Sequence, residues 1–225
     1  MFRTLLACLL ALQTLARCQD VHPVTSRQTA PVMGMGGAPW LVRPEREAEE
    51  APDAALDSIN AAIGIAKGAT VADIGAGVGY FTWRLAARIG PAGKVYAVDI
   101  QQAMLDQLRK NMAARKLANY EAVLGAADDP RLPAGRIDLA LLVDVYHEFS
   151  QPQKMLRKIR ASLAPDGRMV LLEYRKEDPQ VPILPAHKMS VAEVKAEIEP
   201  EGFRLEKTLE NLPRQHILIF RKNTM

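Results

Sequence analysis

Val71-Ala72-Asp73-Ile74-Gly75-Ala76-Gly77-Val78-Gly79 joins an apolar run to three glycines at alternate positions. Residues 69–74 read as a buried strand, apolar without polar alternation. Residues 81–89 read as a helix, stopped by Gly90-Pro91. Between them the glycines make a tight turn. Glycine accepts positive φ and lets a ligand approach the backbone closely.

Outward from this turn, the pattern repeats. Further strands are expected at 94–99, 120–124, 137–143 and 168–174, with helices over 102–116 and 153–163. Before the turn, a charged, alanine-rich helix is expected from Pro44 to Ile65, with Leu56, Ile59 and Ile63 on one face. Ser190 is a good N-cap for a helix over 191–201, and Glu193 completes a partial capping box. The last two strands, 203–212 and 215–222, are separated only by Pro213-Arg214 and should pair antiparallel. The expected fold is α/β: a doubly wound, seven-stranded, mainly parallel sheet with a C-terminal antiparallel hairpin. Ligands in such sheets bind outside the carboxyl ends of the strands, where strand order reverses.

Which ligand suits the turn follows from its acids. A dinucleotide fingerprint needs G-x-G-x-x-G; the third glycine would fall at position 80, which is Tyr80. Asp73 would also repel a pyrophosphate, whereas it would attract a cation. Asp99 ends the next strand, 20 residues past Gly79, where a carboxylate accepts from ribose hydroxyls. The lesser reading of Asp99 is a plain acid at a helix N-terminus.

With Asp73, Gly75, Gly77, Gly79 and Asp99 in these places, the chain resembles the class I S-adenosylmethionine-dependent methyltransferases over roughly residues 55–222. It is most similar to the small-molecule branch that includes the ubiquinone/menaquinone-biosynthesis methyltransferases. The resemblance implies a Rossmann-like methyltransferase fold, S-adenosylmethionine as cofactor and a small-molecule methyl acceptor. It also implies backbone contacts from Gly75 and Gly77 to the methionyl part, and packing of Ile100 on adenine. The helix and tryptophan before the turn would form a lid. One departure stands out. Relatives usually place an acid for the adenine amino group directly after the glycine that follows strand three. Here Gly125 is followed by Ala126 and Ala127. Asp128 is the candidate for that role, and Asp129, before Pro130, reads as a turn cap.

Val143-Asp144-Val145-Tyr146-His147-Glu148-Phe149 leaves strand four with more polar groups than a turn needs. Asp144 is a candidate for contact with the methionyl group. Tyr146, His147 and Glu148 are candidates for the acceptor side, with His147 the best single candidate for general base because imidazole titrates near neutrality. A structural histidine is the competing reading. Glu173 leaves strand five at the same edge, and His187 sits in a loop before the last helix that could cover the acceptor; Arg214, Gln215 and His216 could reach the substrate mouth, but read more readily as exposed hairpin residues. No tight His/Asp/Glu cluster reads as a metal site; His147 and Glu148 beside Asp144 come nearest. A non-catalytic cofactor-binding module remains the alternative from another class, and a nicotinamide-dependent oxidoreductase is disfavoured by Tyr80 and Asp73.

The chain has 225 residues, 48% hydrophobic, with formal charge +3. Arg3 and Arg17 supply two of the 29 basic residues, so the rest is near neutral and shows no basic stripe for nucleic acid. Both cysteines, Cys8 and Cys18, lie in the first 18 residues. The remainder therefore has no disulfide, thiolate metal site or cysteine nucleophile. Residues 1–18 read as a signal peptide: Arg3, an apolar run from Leu5 to Ala16 too short to span a bilayer, then Ala16-Arg17-Cys18. Export to periplasm or medium is expected, although S-adenosylmethionine is made inside cells. A start at Met33 or Met35 would leave the protein cytoplasmic. Residues 19–39 read as a flexible linker, and 40–225 as the catalytic domain, with no stable membrane span.

Overall fold

Residues 21–223 are described in the computed structural model of the protein; the leader expected over 1–18 lies outside them. β1 (Thr70–Ile74) is buried from Val71 onward, as a strand with helices over both faces must be. It pairs in parallel with β2 (Lys94–Asp99) on one side and with β4 (Ile137–Val143) on the other. β3 (Tyr120–Leu124) lies outside β2, and β5 (Leu163–Arg175) outside β4. β7 (Phe203–Leu209) and β8 (Gln215–Lys222) form the expected antiparallel hairpin, with β8 against β5. The main path is β3-β2-β1-β4-β5-β8-β7. A two-residue strand, β6 (Lys188–Met189), also pairs with the end of β5.

The helices cover both faces. α3 (Thr82–Ile89) and α4 (Gln102–Ala114) put Leu85, Ile89, Leu105 and Leu108 into one core. α5 (Pro152–Ser162) and α6 (Val191–Ile198) put Leu156, Ile159, Val194 and Ile198 into the other. The cap of α6 is complete: Ser190 accepts from the Glu193 backbone N–H, and the Glu193 side chain accepts from that of Ser190.

The helix expected from Pro44 to Ile65 is broken in two, α1 (Arg46–Glu50) and α2 (Pro52–Ile63). The cause is Pro52, which disfavours the α conformation in the residue before it. Ala51 takes φ +47° instead and joins the two. The break matters, because it aims Arg46 and Glu50 at the carboxyl edge of the sheet.

Residues 21–39, expected to be a free linker, are seated on the domain. Val21 bridges Gln28, and a 3-10 segment runs over Met35–Val42. The Arg27 guanidinium meets the Glu197 carboxylate of α6 through two hydrogen bonds of 3.1 Å, and the pair is buried. Thr25 donates to the same carboxylate. No apolar periodicity marks this segment; a buried ion pair and backbone hydrogen bonds, such as that from the Ala30 N–H to the His147 carbonyl, hold it. Among the described residues no helix is long and apolar enough to cross a membrane.

Candidate active site

Winding of the sheet reverses between β1 and β4, so their carboxyl ends flank a crevice that no crossover helix covers. A cavity of about 410 Å³ lies there. Asp73, Gly75 and Gly77 line it from β1 and its turn, Asp99 and Ile100 from β2, and Asp144, His147 and Glu148 from β4. His187 closes one side, and Trp40, Arg46 and Glu50 another.

The turn is held by hydrogen bonds that leave its ligand face open. The Gly75 and Ala76 N–H groups both donate to the Val98 carbonyl at 2.9 Å. Gly75 has φ +75°, and a Cβ there would lie 2.4 Å from Val145. Asp99 Oδ2 accepts from the Gly77 N–H at 2.9 Å, and Oδ1 from the Gln101 N–H at 2.8 Å. Each carboxylate oxygen has two acceptor positions, so Asp99 keeps one on each oxygen for a diol. Ile100 lines the cavity with 43% of its surface exposed, an apolar platform beside that acid.

Asp73 lies beneath the turn, buried, with its Oδ2 accepting from Thr82 Oγ1 at 2.6 Å. Burial pushes its carboxyl up to about 6, against the pull of Thr82 and Arg46. Asp144 has φ +48°, and its Oδ2 accepts from Gln215 Nε2 at 2.7 Å. Its Oδ1 is buried without a protein partner. Burial, with Glu50 and Glu173 nearby, holds Asp144 well above the ordinary carboxyl range. Arg46 pairs with Glu50 at 2.7 Å, and Tyr174 donates to Glu50 at 2.8 Å. In all, the wall carries five carboxylates (Glu50, Asp73, Asp99, Asp144 and Glu148) and one guanidinium, Arg46. Such a wall favours a cationic ligand over a polyphosphate.

His147 also lines the cavity, buried on the 3-10 turn Tyr146–Glu148. Its Nδ1 lies 2.6 Å from Glu173 Oε2. A carboxylate only accepts, so Nδ1 carries the proton and Nε2 is left as an acceptor. Glu173 Oε1 accepts from the Tyr146 N–H at 3.0 Å, which fixes the acid that orients the imidazole. His147 Nε2 is 3.1 Å from His187 Nδ1. Burial pushes Glu148 up to about 7, partly offset by His147. Burial and the neighbouring His147 lower the pKa of His187.

Some expected residues stand elsewhere. Gly79 does not line the cavity; its φ of +89° and the close approach of Leu108 explain that glycine through packing of the turn on α4. Tyr146 also lies off the cavity wall. Its ring is in the second core and its hydroxyl is 3.4 Å from His22 Nε2, because successive residues of a tight turn face different ways. Asp128 lies outside as well, with Lys154 at 3.9 Å, while Ala126 and Ala127 form the wall. Gln215 and His216, read as exposed, are buried: Gln215 holds Asp144, and His216 is clamped by Glu210 and Glu177. His147 and Glu148 come near His187, not Asp144, in the one group of potential metal ligands among the described residues. Arg46 and Glu50 were missed because their place in the wall depends on the break at Ala51.

Comparison with known proteins places this geometry. Residues 65–213 match the family described as "Methyltransferase domain". The chain is 30% identical over 114 residues to a protein of Hahella chejuensis named ubiquinone/menaquinone biosynthesis C-methyltransferase UbiE, covering 50% of this chain and 46% of that one. The protein of the same name from Escherichia fergusonii is 29% identical over 114 residues, with 50% and 45% covered. The chain thus spans about half the length of these relatives. The crystal structure of a SAM dependent methyltransferase from Aquifex aeolicus superposes with a TM-score of 0.77 at 24% identity, covering 84% of this chain and 98% of that one.

Proposed function

The chain belongs to the class I S-adenosylmethionine-dependent methyltransferases, and on that premise we propose that it methylates a small, largely apolar acceptor bearing an acidic hydroxyl or carbon. One observation carries the reading: an imidazole oriented by Glu173 stands in the same cavity as the glycine turn and its two acids. S-adenosylmethionine, when bound, supplies a methyl on a sulfonium, which the acceptor's nucleophile displaces while the carbon–sulfur bond pair leaves with sulfur. The residues present suit this cofactor. Asp99 has acceptor positions left for the ribose hydroxyls, Ile100 offers its exposed face to adenine, and the acidic wall attracts the ammonium and sulfonium. His147 meets the acceptor at the far end, where the acceptor's proton is lost. Alignment and exclusion of water are the chain's main tasks, since the donor is already activated. Val32, Met33, Phe149, Met155 and Ile183 give that end apolar walls. The name borne by the two relatives supports an acceptor of the quinol class. Incubation with labelled S-adenosylmethionine and reduced quinols or phenols should yield a labelled, extractable product. Binding without turnover on any extract fraction would instead make the chain a cofactor-binding module.

Two measurements test the cofactor end. Asp99→Ala should weaken S-adenosylmethionine binding by about 1.5–3 kcal/mol, the usual worth of hydrogen bonds to a charged group. Calorimetry reads this directly, and an unchanged dissociation constant removes the ribose role. Affinity should also depend on pH. The ionised form of Asp73 attracts the cation, and in the free protein this acid gains its proton as pH falls through about 6. Asp99 is likewise raised by burial, against hydrogen bonds from the Gln101 and Gly77 N–H groups. Binding at pH 5 should therefore be weaker than at pH 7.5, and a flat profile would exclude Asp73 from the electrostatics of binding.

A further inference from the structure

The acceptor end holds two imidazoles and a carboxylate whose arrangement exceeds what proton removal requires. We propose that His147, His187 and Glu148 bind a divalent first-row transition metal that coordinates the acceptor. The inference rests on the methyltransferase reading of the same cavity and says how the acceptor is held there.

The geometry starts from His147. Its Nδ1 is bound to Glu173, so its Nε2 lone pair points away from that acid. A histidine whose second nitrogen donates to a carboxylate is the common form of a metal-ligating imidazole, because the outer acid fixes both ring orientation and tautomer. His187 brings its Nδ1 to 3.1 Å from that Nε2. Two nitrogens bound to one ion at about 2.0–2.1 Å stand roughly 3.0–3.4 Å apart, so the rings already have the spacing of neighbouring ligands. Ligand atoms of His147, Glu148 and His187 all lie within 4.8 Å of one another. Glu148 lines the cavity with its carboxyl near His147 and within reach of the Met33 backbone N–H.

Charge and access agree. Five acidic side chains and one guanidinium line the cavity. Two imidazoles and one carboxylate suit borderline divalent ions better than magnesium or calcium, which prefer all-oxygen sites. Three protein ligands leave positions open. Those positions face the same cavity, where an acceptor with one or two adjacent oxygens would coordinate and release its hydroxyl proton to solvent. Neutral His187 serves with either tautomer, since a shift of its proton to Nε2 frees Nδ1.

The test uses the full chain after treatment with a chelator and dialysis. Titration with Co²⁺, read by its visible absorption and by elemental analysis, should saturate at one ion per chain, and Zn²⁺ should displace it. His187→Ala and Glu148→Gln should each weaken Co²⁺ binding more than tenfold. Glu173→Gln, which removes only the outer partner of His147, should weaken it by about 10–100-fold. Absence of stoichiometric binding overturns the proposal, as does binding that persists unchanged in a His187→Ala/Glu148→Gln double variant. S-adenosylmethionine affinity of the metal-free chain is measured in parallel. Cofactor binding and methyl transfer without Co²⁺ binding reject the metal alone, whereas failure to bind cofactor rejects the underlying function.

Discussion

Replacing His147 with alanine lowers turnover by about 10²–10⁴-fold, the range typical of a positioned acid or base, and leaves the affinity for S-adenosylmethionine nearly unchanged. The split between the two readouts follows from position. The side chain of His147 is bonded to Glu173 and His187, while Asp99 is bonded to the glycine turn through the Gly77 N–H. The expected loss is the same whether Nε2 takes the acceptor's proton itself or holds an ion that lets the acceptor lose its proton to solvent, because alanine removes that lone pair in both cases. Alanine also leaves the buried Glu173 with the Tyr146 N–H as its remaining donor at this turn, so some stability goes with it. His147→Asn separates the effects. Its amide N–H can replace the Nδ1–H toward Glu173, but nothing replaces Nε2. The asparagine variant should fold normally and still lose the turnover. Near-normal rates in that variant would show the imidazole to be structural.

The cofactor end was legible in the chain because its chemistry is local. A strand, three alternating glycines and a helix lie within 20 residues, and Asp99 follows at a fixed spacing set by one crossover. Even there, local reading could not separate glycines that face a ligand from one that packs on a helix, so Gly79 was grouped with Gly75 and Gly77. The acceptor end depends on contacts between distant elements. Glu173 reaches His147 only because β4 and β5 are paired in register, with Val143 opposite Leu172. His187 arrives from a loop beyond β5, and Gln215 reaches Asp144 from the closing hairpin. Which of Tyr146, His147 and Glu148 faces the cavity is decided by a single 3-10 turn. Residue type alone carries no information about that rotation.

Least legible of all is the seating of residues 21–42, and its anchor has a large expected effect. Arg27→Ala should destabilise the folded chain by about 3–5 kcal/mol, the cost of leaving one member of a buried ion pair alone. Glu197 is fully buried on α6 and takes both ends of the Arg27 guanidinium. Without Arg27, that carboxylate keeps the Thr25 and Tyr146 hydroxyls and His22, whose Nε2 is 3.4 Å away. Burial, partly offset by Glu197, lowers the pKa of His22, so it is a poor replacement cation. The loss is large against a typical domain stability of about 5–15 kcal/mol. Arg27 also donates to the His147 carbonyl at 3.2 Å, and the Ala30 N–H donates there at 3.0 Å. The segment therefore braces the turn Tyr146–Glu148, while Met33, Trp40 and Leu41 line the cavity. Urea denaturation of Arg27→Ala, of Glu197→Leu and of the double variant Arg27→Met/Glu197→Leu forms the test. The double variant should recover most of the lost stability, since an apolar pair of similar volume needs no charge compensation. A loss below about 1 kcal/mol in Arg27→Ala, the size expected of a surface pair, would mean that the segment does not anchor the domain through this contact.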